Sequence, residues 1–207
     1  MAKPAESELT GSNYAKQAQP RDEIVFLRAW LRAPLFTAAM LPSGPLLSRA
    51  LAAAVDPKIP GAVVELGPGT GPVTAALVER GIAPDRLILI EFNPDFCRLL
   101  QERYPTARVI EGDAFAAPAI VERLKLGPLA AVVSCLPLYG KAPELRQRLL
   151  LDLLKLGVPG IPFVQATNFP RSPIPIDASA MSASVSKRIW RNLFPALVWT
   201  YCLTPSR

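Results

Sequence analysis

The chain contains no histidine. That removes the commonest general base and the commonest metal ligand together, which argues against Ser-His-Asp hydrolases and zinc enzymes. Cysteine is nearly as scarce. Cys97, Cys135 and Cys202 are odd in number and widely spaced, the pattern of reduced core thiols rather than a disulfide framework or a metal site. No apolar run reaches the ~20 residues needed to cross a bilayer. The N-terminus, M-A-K-P-A-E-S-E, lacks the basic-then-apolar form of a secretion signal, so a cytoplasmic protein is expected.

What is present fits one α/β domain: 207 residues, half of them apolar, are enough to bury a sizeable core. The net charge of +6 is unevenly spread, because residues 1–133 hold 14 basic and 14 acidic groups while residues 134–207 hold 9 basic and 3 acidic. A basic surface attracts polyanions, whether nucleic acid or anionic membrane, and ordinary solubilising charge is the plainer reading.

Residues 63–74, V-V-E-L-G-P-G-T-G-P-V-T, organise the chain. Residues 63–66 read as a short buried strand and residues 72–80 as the start of a helix, which leaves Gly67, Gly69 and Gly71 in the turn between them. Glycines there let the backbone turn sharply and come close to a ligand. Glu91 closes the next β-branched run, R-L-I-L-I-E, and an acid at the tip of a second strand can take both hydroxyls of a ribose. The spacing is G-x-G-x-G with Glu65 two places before the first glycine, not the dinucleotide pattern G-x-G-x-x-G. A lone glycine triplet is equally a tight turn with no ligand. Glu91 and Asp113, both at strand ends, favour a cofactor site.

The E-L-G-x-G-x-G form, with Glu91 and then G-D-A at residues 112–114, resembles the class I methyltransferases that use S-adenosylmethionine. The resemblance implies a Rossmann-like α/β fold: a mostly parallel seven-stranded sheet with helices on both faces and an N-terminal helical cap. That cofactor carries no phosphate, yet amides and dipole at a helix N-terminus can still hold its methionine carboxylate. Neither a metal nor a histidine is needed, since the sulfonium is already activated and the enzyme's task is alignment.

Residues 1–18 are polar, small and aperiodic and read as a flexible tail. Residues 19–60 read as an amphipathic helix with a helical cap, and residues 61–207 as the methyltransferase domain. A helical wheel over residues 21–33 sets Arg21, Arg28 and Arg32 in one stripe, opposite Ile24, Phe26, Leu27, Trp30 and Leu31. This is the composition of a membrane-surface helix, and it equally suits a helix packed on a core. Residues 46–55 form a further helix rich in alanine and leucine. From residue 61 strands and helices alternate, which predicts a parallel sheet covered on both faces. Strands are expected at residues 86–91, 107–111, 129–135 and 161–167, and helices at 94–104, 118–125 and 143–156. A proline-rich loop, N-F-P-R-S-P-I-P-I-D, follows, and residues 184–192 and 196–203 read as two final strands joined at L-F-P.

In an open parallel sheet, ligands bind beyond the carboxyl ends of the strands. That edge carries Glu65 and the three glycines, then Glu91, Phe92, Asp113, Ala114 and the segment from Ser134 to Tyr139. Asp113 is the natural acceptor for an adenine amino group and Phe92 a cover for one face of the ring. A plain turn residue is the alternative for Asp113. The segment S-C-L-P-L-Y stands where methyltransferases acting on nitrogen often carry N-P-P-Y. It lacks the asparagine and the first proline, which speaks against an adenine or a glutamine amide as substrate.

Taken together, E-L-G-P-G-T-G-P-V-T, E-F-N-P-D-F-C-R-L-L, S-x-L-P-L and W-R-N-L-F-P-A-L-V-W closely resemble the soluble bacterial phospholipid N-methyltransferases. Those enzymes methylate phosphatidylethanolamine stepwise to phosphatidylcholine, and the resemblance spans residues 21–203. It implies a monomeric enzyme held peripherally on the inner face of the cytoplasmic membrane, its first helix docked on anionic lipid, with nucleic acid not a partner. Headgroup nitrogen would attack the methyl group in line, so some group must first take the amine's proton. Tyr139 is the candidate, and its ring also suits a methylated cation; Ser134 stands in the same catalytic segment. Tyr14, Phe26 and Trp30 offer further rings. Arg171, Lys187, Arg188 and Arg191 are candidates for the lipid phosphate, although solvated surface charge is the plainer reading of any one of them. The rival enzyme is a ribosomal RNA adenine dimethyltransferase, which shares the cofactor motif but requires the missing asparagine-type motif. A non-catalytic lipid-binding protein is the third possibility.

Overall fold

The computed structural model describes residues 44–190 and 195–204. The tail, the amphipathic helix with Tyr14, Arg21, Phe26, Arg28, Trp30 and Arg32, and Arg191 lie outside the described residues.

The first described helix, α1 (Pro45–Ala53), starts on a proline whose missing N–H falls where a helix has no intrahelical bond to lose. Then follow β1 (Ala62–Leu66), α2 (Pro72–Glu79), β2 (Leu87–Glu91), α3 (Pro94–Arg103) and β3 (Arg108–Glu111). The remaining elements are α4 (Ala117–Leu124), β4 (Leu129–Ser134), α5 (Pro143–Lys155), β5 (Phe163–Thr167), β6 (Met181–Val185) and β7 (Leu197–Leu203).

The strands form one seven-stranded sheet in the order β3-β2-β1-β4-β5-β7-β6. The first five run parallel, and β7 is antiparallel to both β5 and β6. This is the class I methyltransferase fold. Strands β1, β2 and β4 are buried along their whole length, which is why they read as unbroken apolar runs rather than alternating ones. Alternate side chains feed two cores. Val63, Leu87 and Leu89 pack with Leu51 of α1, Leu77 of α2 and Leu100 of α3. Val64, Leu66, Ile88 and Ile90 share the opposite core with Ile120 of α4 and Leu150 of α5. Helix α1, expected to cover the cofactor edge or the sheet, packs on the sheet.

Arg86 ties the entry to β1 in place. Its guanidinium donates to the carbonyls of Gly61 and Pro57, each at 2.9 Å, and to that of Ile59 at 2.5 Å.

Most elements lie within one or two residues of their expected bounds, as frayed ends allow. The exception is β6, expected at residues 184–192 and found at Met181–Val185. Met181 is buried and Ala183 packs on the core, while Ser182 and Ser184 face out. That weak period-2 pattern sets the register. Beyond it the Ser186 amide donates to the Val198 carbonyl at 2.9 Å and Ile189 bridges back to Ala196.

Candidate active site

Strand β1 ends at Leu66, and the amide of Gly67 donates to the carbonyl of Ile90 at 2.9 Å. The turn then runs through left-handed backbone at Gly67, Gly69 and Gly71, with φ of +68°, +58° and +87°. A Cβ at Gly67 would stand 3.0 Å from Leu136 Cδ2, and one at Gly71 would stand 2.9 Å from Leu100 Cδ2, whereas Gly69 faces open space. Gly71 precedes Pro72, the first residue of α2.

Two carboxylates frame this turn. Glu91 is 1 % exposed. Its Oε2 accepts the amide of Gly69 at 3.0 Å and its Oε1 that of Asn93 at 2.8 Å, so one acid joins the loop after β1 to the loop after β2. Burial raises its pKa, and those amide bonds pull it back down. Glu65 is fully buried. Its Oε2 accepts the Thr74 hydroxyl at 2.8 Å, and its Oε1 has no partner. Burial, opposed by the Thr74 bond and reinforced by the charge of Glu91, pushes Glu65 up to about 8. The two acids are thus held differently: one is bonded by amides, the other is poor in partners.

Beyond the strand ends lies a cleft of about 270 Å³. Gly67, Ile90, Glu91 and Phe92 make one wall, Gly112 to Phe115 the second, and Leu136, Pro137 and Lys141 the third. Phe92 is two-thirds exposed at its edge, at 67 %. Asp113 caps the short 3₁₀ turn after β3, its Oδ1 accepting the Phe115 amide at 2.9 Å. Of the residues expected to hold a cofactor, Gly67, Glu91, Phe92, Asp113 and Ala114 line this one space. Glu65, Gly69, Gly71 and Ser134 are not among its lining residues.

The donor set suits S-adenosylmethionine. Glu91 at the tip of β2 and Asp113 after β3 share the cleft with the apolar Ile90, Phe92, Phe115 and Leu136. At two of the three turn glycines a Cβ would crowd a leucine methyl, on backbone that side chains rarely adopt. Behind the turn, Glu65 Oε1 is a buried oxygen without a partner.

Tyr139, expected as the proton acceptor, stands against the loop after β5. Its hydroxyl donates to the carbonyl of Arg171 at 2.6 Å, and its ring meets Phe169 edge-on at 4.6 Å between centroids. Partial burial raises its pKa above the ordinary 10 despite Arg146 and Arg171 nearby. In this arrangement the phenol is a hydrogen-bond donor to the loop after β5. Ser134 is fully buried, and its Oγ accepts the Leu136 amide at 3.4 Å, bracing the turn after β4. Arg171 is exposed on the loop after β5, adjacent to β4. Lys187 and Arg188 follow β6, three strands from β4, or roughly 14 Å at ~4.8 Å per strand. Arg188 lies over the Trp190 ring at 5.4 Å instead.

Leu136 and Pro137 belong to the segment expected at this edge, whereas sequence reasoning missed Ile90, Phe115 and Lys141 in the cleft walls. Among the described residues no helix is long and apolar enough to cross a membrane, and no group of three or more His, Cys, Asp or Glu is gathered as metal ligands would be.

No protein-family model matches the chain. The crystal structure of an O-methyltransferase from Bacillus cereus in complex with S-adenosylhomocysteine superposes with a TM-score of 0.59 at 18 % identity, covering 94 % of this chain and 96 % of that one. At that identity the likeness concerns the fold. A ribosomal RNA small subunit methyltransferase A from Synechococcus sp. is 39 % identical over 62 residues, only 28 % of this chain and 21 % of that protein. The ornithine lipid N-methyltransferase of Singulisphaera acidiphila matches far more of the chain: 34 % identity over 154 residues, 72 % of this chain and 80 % of the relative. A glycine turn between two buried acids, on a class I methyltransferase sheet, thus comes with similarity along most of the chain, which belongs to the family of the ornithine lipid N-methyltransferases.

Proposed function

We propose that this chain transfers methyl groups from S-adenosylmethionine to the amine of a lipid headgroup, converting phosphatidylethanolamine stepwise toward phosphatidylcholine at a membrane surface. The observation that carries the reading is the 154-residue match to a lipid N-methyltransferase. The partial match to a ribosomal RNA methyltransferase stays within 62 residues, and the segment after β4 lacks the asparagine-type motif.

When bound, the cofactor supplies a methyl group already activated on a sulfonium. The chain's own residues do the rest. Glu91 keeps lone pairs beyond those used by Gly69 and Asn93, and these accept the ribose hydroxyls. Asp113 accepts the adenine amino group while Phe92 and Leu136 cover the ring. Glu65, protonated before binding, gives up its proton as the positive methionine end arrives and offsets that charge through its free oxygen. Rigid packing of the turn against Leu100 and Leu136 holds the acceptor nitrogen in line with the methyl group. A headgroup amine titrates at about 10 and must enter neutral. With Tyr139 fixed as a donor, that proton leaves to water at the mouth of the cleft. The enzyme works as a monomer on the inner face of the cytoplasmic membrane, with Phe26 and Trp30 inserted and Arg21, Arg28 and Arg32 on anionic lipid.

The test is incubation of the full chain with methyl-labelled cofactor and, separately, vesicles of phosphatidylethanolamine, vesicles of an ornithine lipid, and ribosomal RNA. Label in the ethanolamine lipid is expected. Label in the ornithine lipid alone would keep lipid amine methylation and discard the ethanolamine headgroup, while label in RNA alone would refute the proposal.

A further inference from the structure

Arg146 lies in the first turn of α5 and is 9 % exposed, yet among the described residues no carboxylate pairs with it. Its Nη1 donates to the carbonyl of Pro173 at 2.6 Å, and its Nε has no acceptor at all. Its guanidinium carbon lies 5.5 Å over the ring of Tyr139, on the segment whose neighbours Pro137 and Lys141 line the cleft. The location compounds the anomaly. A cation in the first turn of a helix meets the positive end of the dipole, and α5 has no side-chain cap on its first amides. Arg171, whose carbonyl takes the Tyr139 hydroxyl, adds a second positive charge near that ring.

A buried guanidinium is expensive unless its donors are satisfied by an anion or a full set of acceptors. One carbonyl and one aromatic face are less than that. Resting on the lipid-amine reading above, we propose that Arg146 and the N-terminus of α5 form the oxyanion site that holds the headgroup of the lipid substrate: the phosphate of an ethanolamine lipid or the carboxylate of an acylated ornithine. Guanidinium geometry suits both, since either oxyanion accepts two parallel N–H bonds from its edge. Entry displaces the Pro173 carbonyl, which sits on the proline-rich loop whose Phe169, Arg171 and Ile176 are exposed. The anion then lies beside the cleft, and the amine, a few bonds away in either headgroup, reaches into it.

The experiment uses the full chain as wild type, R146Q and R146K. Methylation of ethanolamine phospholipid vesicles and of acylornithine vesicles is measured with KM for the headgroup separated from kcat, beside the affinity for S-adenosylhomocysteine and the thermal midpoint. R146Q is expected to raise KM roughly tenfold or more, the loss of a charge-assisted pair, with cofactor affinity unchanged and R146K intermediate. A rise confined to the phospholipid assigns the site to phosphate, and a rise confined to the acylornithine assigns it to carboxylate. An unchanged KM overturns the proposal. So does a KM rise matched by equal losses in cofactor affinity and thermal midpoint, the mark of a guanidinium that only pins Pro173. Should R146Q fail to fold, R146K carries the same comparison. Should wild type methylate neither lipid, the proposed function fails, and the oxyanion site is read separately by phosphorus NMR of inorganic phosphate. Line broadening by wild type that R146K diminishes supports the site, and no broadening overturns it.

Discussion

Glu65→Gln isolates the electrostatic cost of the glycine turn. Burial, with the charge of Glu91 behind it, raises the Glu65 pKa from 4.5 to about 8. At ~1.4 kcal/mol per pH unit, that interval corresponds to about 5 kcal/mol between protonated and ionised forms. The folded state therefore binds the proton more tightly than the unfolded chain. Below the ordinary 4.5 both states hold it, and no penalty exists. As pH rises through about 8 the folded state is progressively forced to ionise a buried oxygen without a donor, so stability falls across that window and the loss is complete above it. Glutamine has the same shape and no charge. Thr74 can still donate to its amide oxygen, as it now donates to Oε2 at 2.8 Å. The stability difference between Glu65→Gln and wild type should accordingly shift in favour of the variant by roughly 4 kcal/mol between pH 5 and pH 9. Urea unfolding of the cofactor-free protein, followed by far-ultraviolet circular dichroism across that range, measures it, and other titrating groups cancel in the difference. A difference that stays flat from pH 5 to pH 9 would falsify the account of a strained acid. The same physics predicts proton release on binding a cation beside Glu65 near pH 7.5. Calorimetric titration of S-adenosylmethionine in buffers of contrasting ionisation enthalpy detects it in wild type, and Glu65→Gln should abolish it.

Glu91→Gln should weaken S-adenosylhomocysteine binding by roughly ten- to a hundredfold, the scale of one charge-assisted hydrogen bond, with the circular dichroism spectrum unchanged; unaffected affinity would misplace the ribose site. Arg86→Met removes three bonds to the carbonyls of Pro57, Ile59 and Gly61, and is expected to cost about 3 kcal/mol in urea unfolding while leaving cofactor affinity per folded molecule intact. Combining Arg28→Glu with Arg32→Glu should reduce sedimentation with anionic vesicles, at about 1 kcal/mol per charge near the surface, and sedimentation equal to wild type would remove residues 21–33 from the proposed membrane contact.

The cofactor half of the molecule was legible because its constraints are local. Three left-handed glycines within five residues, an acid two places upstream and another at the next strand end are readable without knowing any long-range contact. Strands β1, β2 and β4 announced themselves as apolar runs because both their faces are covered. The acceptor side was opaque for the converse reason. The Tyr139 hydroxyl bonds the Arg171 carbonyl, 32 residues on, and Lys187 and Arg188 follow a strand that the antiparallel β7 separates from β5, so neither placement is readable from local sequence. Arg146 did carry a signal: it shares the helical spacing of Leu149, Leu150, Leu153 and Leu154, so a cation falls on the buried face of α5.

Buried charge on the two sides of the cleft has a common logic. Among the described residues, neither Glu65 nor Glu91 forms an ion pair, and neither does Arg146. Each of these groups opposes folding whenever it is charged, as Glu65 becomes only above about pH 8, and with no histidine in the chain no imidazole stands beside either acid. Opposite charges placed on different strand ends, β1 and β2 for the acids and the β4–α5 connection for the cation, do not neutralise one another across the cleft. On the proposals above, ligands do so instead: a sulfonium and ammonium at the acids and an oxyanion at Arg146. The methyl acceptor then lies between two anchored charges, so that binding the lipid anion sets the distance from its amine to the methyl group. On this account an uncharged headgroup analogue should lose alignment as well as affinity, lowering kcat together with a raised KM, whereas a site that merely attracts lipid would change KM alone.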